Sequence, residues 1–205
     1  TMATTVIRIE ITGASSVLVG GNTQLTATGY DVDGNIVLDA DFTWSSLDDT
    51  LAQVDQTGLV TGVARGDTGI KVEEAKAIAA PAIHNIAVNP NIDRVEITTV
   101  GSPYVALAGT PASGSATINI WQHQDIVAKC YSGATEITDV PIAFTSGDNT
   151  TVTVTPAATD SPNATIHGIK EGGPVTITAS QPYTSVVGTL QVYVTALGDI
   201  NIIVN

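Results

Sequence analysis

Short β-prone runs punctuated by Gly, Asn, Asp and Pro succeed one another along this chain, a pattern that leaves no place for long helices. VIRIEI (6–11), SVLV (16–19), TQLTATGY (23–30), DFTWSS (41–46), LAQV (51–54), LVTGV (59–63) and TGIKVEE (68–74) follow in order, with turn formers between them. In the first run Val6, Arg8 and Glu10 alternate with Ile7, Ile9 and Ile11, the period of a strand with one wet face. The 30 threonines, with abundant Val and Ile, carry the same message, because β-branched side chains favour strands. Aromatic residues are only 4% of the chain, so the core must be aliphatic. One stretch, EEAKAIAAPAI (73–83), is compatible with two turns of helix stopped by Pro81, or equally with a hairpin loop.

The pattern runs twice. NPNID (89–93) is a turn-rich junction, after which RVEITTV (94–100) restarts what VIRIEI began. DIVAKCYS (125–132) stands for TQLTATGY, VPIAFTSGD (140–148) for DADFTWSSLDD (39–49), and TVTVTP (151–156) for LAQVDQ. IHGIKEGGPVTITA (166–179) answers VTGVARGDTGIKV (60–72), pairing Gly62 and Gly66 with Gly168 and Gly172. The expectation is an all-β protein of two tandem domains, 1–90 and 91–205. Trp44 fills the core of the first and Phe144 that of the second. All four glycines are expected at positive φ.

The first repeat resembles the group 2 bacterial Ig-like domain. The residues that carry the likeness are VIRIEITG (6–13), LVGGNTQLTATGYDVDGN (18–35), FTWSS (42–46) and AQVDQTGLVTGVARGDTGIKV (52–72). The second repeat is similar but looser, with Phe144-Thr145-Ser146 in place of the Trp motif and a longer loop at 156–164. The resemblance implies a seven-strand β-sandwich of the kind strung along bacterial surface proteins and adhesins and found on phage virion proteins.

Charge narrows the partners. Twenty acidic against seven basic residues give a net charge of −13, which argues against binding to nucleic acid or to an anionic membrane surface. No apolar run is long enough to span a bilayer, so no membrane insertion is expected. The opening TMATTV lacks the basic and apolar regions of a signal peptide; a cleaved signal and a removed initiator Met remain alternative histories. The single cysteine, Cys130, excludes an intramolecular disulfide and reads as a small buried hydrophobe.

Catalytic signals are sparse, and the chain is read as no enzyme. His84, His123 and His167 lie far apart in the sequence, in no metal-ligand spacing, and are read as neither ligands nor acid–base groups. Asp48-Asp49 and Glu73-Glu74 read as solvated charge. The polar cluster Asp31, Asp33, Asn35, Asp39 and Asp41 begins like a calcium loop but lacks its downstream glutamate. A hairpin turn at Asp33-Gly34 and a calcium site are both kept, and no other cofactor is expected.

These readings lead to a structural or surface-display protein of an extracellular assembly: a virion decoration or tail protein, or a secreted filament subunit. The alternative is a cell-surface adhesin or carbohydrate-binding module, assisted by calcium. The expected partners are other protein subunits, through self-association or docking, with a surface glycan under the alternative. One segment is a candidate for assembly. INIIVN (200–205) follows the closing strand TLQVYV (189–194), and nothing in the first repeat corresponds to it. Ile200, Ile202, Ile203 and Val204 either extend their own sheet or add to an edge on a neighbouring subunit.

Overall fold

The structure is a computed structural model that describes residues 5–76, 78–101 and 113–196. The chain divides into two compact units, residues 1–91 and 92–205. Among the described residues there is no helix. Each unit is a β-sandwich.

The first unit contains β1 (Arg8–Thr12), β2 (Ser16–Leu18), β3 (Asn22–Gln24), β4 (Thr26–Tyr30), β5 (Phe42–Ser46), β6 (Ala52–Val54), β7 (Leu59–Gly62), β8 (Gly66–Glu74) and β9 (Ala82–Asn89). One layer has the order β2-β9-β8-β5, and the other is formed by β1-β4 and β3-β7-β6. All ladders are antiparallel except β2 with β9, which run parallel. The second unit contains β10 (Arg94–Val100), β11 (Ser113–Asn119), β12 (His123–Ser132), β13 (Thr135–Ile137), β14 (Ala143–Ser146), β15 (Val152–Pro156), β16 (Asn163–Gly168), β17 (Gly172–Ser180) and β18 (Gly188–Thr195). Its layers are β10-β12-β16-β15, with β13 on β12, and β11-β18-β17-β14, again with one parallel pair, β11 with β18. The two units therefore share strand order and sense. They differ where the run at 23–30 breaks at Leu25 into β3 and β4, whereas β12 continues unbroken. The Leu25 amide donates to the Gly58 carbonyl at 2.9 Å, in line with the β3–β7 register, before β4 turns to pair with β1.

Both cores are aliphatic, and only the first is centred on an aromatic ring. Trp44 is 6% exposed among Val17, Leu25, Val60, Ile70, Val72 and Ile86. The Gln56 side chain holds the Trp44 backbone on both sides, accepting from its amide at 3.1 Å and donating to its carbonyl at 2.9 Å. Phe144 does not play this part in the second unit. It is half-buried at the margin of a core whose fully buried members include Ile118, Ile126, Ile166, Ile177, Val152 and Val192. On β14 it takes the register position that Trp44 has on β5, opposite Ala179 where Trp44 stands opposite Val72. Cys130 is a buried member of that core.

Two further expectations change, and one open alternative is decided. Val6 is buried and Ile7 is 45% exposed, so the alternation switches parity just before β1. Of the two readings kept for 73–83, the described residues follow the hairpin: Glu73 and Glu74 complete β8, and Ala82 opens β9, its antiparallel partner. Of the four paired glycines only Gly66 (φ +153°) and Gly172 (φ +155°) have positive φ. Gly62 and Gly168 are required for a different reason, close approach. A Cβ on Gly62 would strike the Leu18 carbonyl, and one on Gly168 would lie 2.7 Å from the Asn119 carbonyl.

Candidate functional site

The turn between β11 and β12 carries the most exposed aromatic side chain of the described residues. Its backbone repeats the turn between β2 and β3 bond for bond. Gly20 N–H donates to Gly62 O at 2.8 Å, and Trp121 N–H donates to Gly168 O at 2.8 Å. Gly21 N–H reaches Leu18 O at 2.9 Å, matched by Gln122 to Asn119 at 3.0 Å. The turn needs a left-handed residue, and glycine supplies it in the first unit at φ +77°. In the second unit tryptophan takes it at φ +68°, with 67% of its surface exposed. A bulky residue in that region is strained, and such strain is characteristic of binding sites.

Beside it are two histidines. His123 and His167 are directly opposed on β12 and β16, where antiparallel pairing places side chains on the same face. Their rings stack with centroids 4.1 Å apart and planes 11° apart, and Trp121 lies 6.1 Å from His167. The reading of the histidines as separate is thus corrected for this pair, because sheet pairing joins residues 44 positions apart in sequence. His84 remains apart, with Nε2 3.0 Å from the Ala14 carbonyl. The sequence signal for Trp121 was present: aligning VGGN (19–22) with IWQH (120–123) sets it on Gly20.

A cleft of about 520 Å³ opens elsewhere on the second unit, floored by Ala128, Cys130 and Ile142 and rimmed by Lys129, Asp139 and Asp160. Burial pushes the Cys130 thiol up, which keeps it protonated and a poor nucleophile. Lys129 is held above its usual range by a 3.1 Å bond to Glu136. No histidine lines this cleft, so no imidazole base faces the thiol.

The calcium-loop residues are placed as follows. Asp31 Oδ1 accepts from the amides of Asp33 at 2.9 Å and Asn35 at 2.8 Å, and Gly34 takes φ +82°. These bonds, the Asn35 amide first, hold the Asp31 carboxyl below its usual range. Asp31 and Asn35 are brought together, while Asp33, Asp39 and Asp41 are exposed. Among the described residues no group of three or more His, Cys, Asp or Glu is placed to hold a metal ion. Ile200, Ile202, Ile203 and Val204 lie outside the described residues.

Sequence reasoning missed two repeated devices on the shared frame. Arg8 ion-pairs with Glu10 and lies over Tyr30; Arg94 ion-pairs with Glu96 and lies over Tyr131. The loops after β5 and β14 share a Ser-x-Asp-x-Thr pattern. Asp48 Oδ1 accepts from Thr50 N–H at 2.9 Å and Asp148 Oδ1 from Thr150 N–H at 2.9 Å, and each also takes the threonine hydroxyl.

The family model of the bacterial Ig-like domain (group 2) covers residues 3–77. Over those residues the chain is similar to a group 2 bacterial Ig-like domain. The Ice-binding protein 1 of Shewanella frigidimarina (strain NCIMB 400) is 34% identical to the chain over 95 residues. Those residues are 42% of this chain and 11% of that protein, so the chain spans about a tenth of the relative's length. The Escherichia coli adhesin FdeC matches over 94% of this chain and 66% of its own, with 14% identity and a TM-score of 0.54. That likeness supports the Ig-like sandwich as the fold.

Proposed function

We propose that these two units are a non-catalytic, surface-displayed segment of an extracellular protein, in which group 2 Ig-like sandwiches present an exposed surface to a partner. The observation that carries this reading is the repetition of one sandwich, down to equivalent turn and loop bonds, behind the group 2 match. Repeated modules of this kind extend a chain without requiring a new core for each function. Localisation tests the reading. An antibody to the second unit should label intact cells or purified virions of the source, and brief external proteolysis should remove the signal. A signal confined to the cytoplasm would overturn it. Labelling of virions, and not of cells, would select decoration or tail protein over cell-surface protein.

An adhesive role is favoured by one further observation, the strained and exposed Trp121. Exposed aromatic side chains contribute a disproportionate share of binding energy when a partner covers them. The partner in this reading is another protein subunit or a surface glycan. Self-association through residues 200–204 belongs to the same proposal, and deleting residues 199–205 tests it through the native assembly state.

A further inference from the structure

We propose that His123 and His167 form a two-imidazole site for a divalent transition-metal ion, Cu²⁺ or Zn²⁺. The argument begins with placement. The two residues are register partners on adjacent antiparallel strands, so their side chains share one face, and ring centroids 4.1 Å apart confirm it. Two nitrogens each about 2.0–2.1 Å from one tetrahedral ion are about 3.3 Å apart. Turning the rings from their stacked arrangement about their side-chain bonds would bring a nitrogen of each toward one ion. Among the described residues neither imidazole forms a hydrogen bond, in contrast to His84, which lies against the Ala14 carbonyl.

Imidazole is the ligand type that suits copper and zinc, and copper binds such nitrogen sites most tightly of the first-row divalent ions. The surrounding charge favours a cation: the chain carries −13, and Asp125 lies two residues along β12 from His123. Asp125 is engaged with the Thr165 hydroxyl at 2.7 Å, so the histidine pair supplies the direct bonds. Two protein ligands leave coordination positions open to water or to a donor from outside the chain.

Trp121, 6.1 Å from His167, provides the readout, since bound Cu²⁺ quenches a nearby indole. The full chain, without a polyhistidine tag, is titrated with Cu²⁺ while emission is followed. Saturable quenching with one ion per chain is expected, and Trp121→Phe should abolish it. His123→Gln and His167→Gln should each raise the half-saturating concentration at least about tenfold, with unchanged melting curves. Zn²⁺ added to the native chain should shift the ring NMR signals of His123 and His167 together and leave those of His84 in place. Quenching that survives both glutamine variants, absence of a saturable response, or a shift of only one ring would overturn the site.

Discussion

Trp121 occupies a backbone conformation that its counterpart, Gly20, adopts at no steric cost. Strain in that region is of the order of 1–3 kcal/mol, only part of which is returned by the ring's contact with His167. Trp121→Gly is therefore expected to stabilise the protein by about 1 kcal/mol, seen as a higher denaturation midpoint. A lower midpoint would mean that the indole contributes more packing than its exposure suggests. Trp44 is the opposite case, a large ring closed in on all sides. Trp44→Ala should cost about 3–5 kcal/mol in equilibrium unfolding, because the lining is held in a sheet and cannot collapse into the space. A loss below 1 kcal/mol would remove Trp44 from the centre of the first core.

At the scale of elements, the Ser-x-Asp-x-Thr loops convert a surface turn into an acid-sensitive one. Asp148 is held down to about 2, first by the hydroxyls of Thr150 and Thr151 and then by the Thr150 amide. Asp48 and Asp55 are lowered by the corresponding bonds from Thr50 and Thr57. The native value lies below the unfolded one. The stabilisation is thus complete above the unfolded value near 3.8 and is lost as pH falls through the native value near 2. Asp148→Asn should flatten the decline of melting temperature between those pH values, and an unchanged slope would show that the loop bonds do not persist in solution. The loop from Asp31 to Asn35 uses its carboxylate in the same way, on its own backbone amides. Its melting behaviour is accordingly expected to be the same in millimolar chelator and millimolar calcium. A higher melting temperature with calcium would assign an ion to Asp31 and its neighbours.

For the whole molecule, each unit has its own buried cluster, nine of the described residues in the first and nineteen in the second. A core complete within one unit predicts independent folding. Residues 1–91 and 92–205, produced separately, should each unfold in one cooperative transition with native-like β circular dichroism. Failure of either to fold alone would mean that its stability depends on the other.

Local chemistry was enough for the all-β class and for the buried places of Trp44 and Cys130, because alternation and turn residues act over a few positions. The parity switch at Val6 and the break at Leu25 were not legible, since each depends on which strand lies alongside: Val6 packs against Gly29 of β4, and at Leu25 the pairing passes from β7 to β1. Phe144 holds the motif position but stands beside Ala179 where Trp44 stands beside Val72, and the motif alone does not tell how deeply the ring is buried. The histidine pair belongs wholly to the tertiary structure. Register decides which residues of distant strands share a face, and a one-residue slip would have sent His167 to the opposite side from His123.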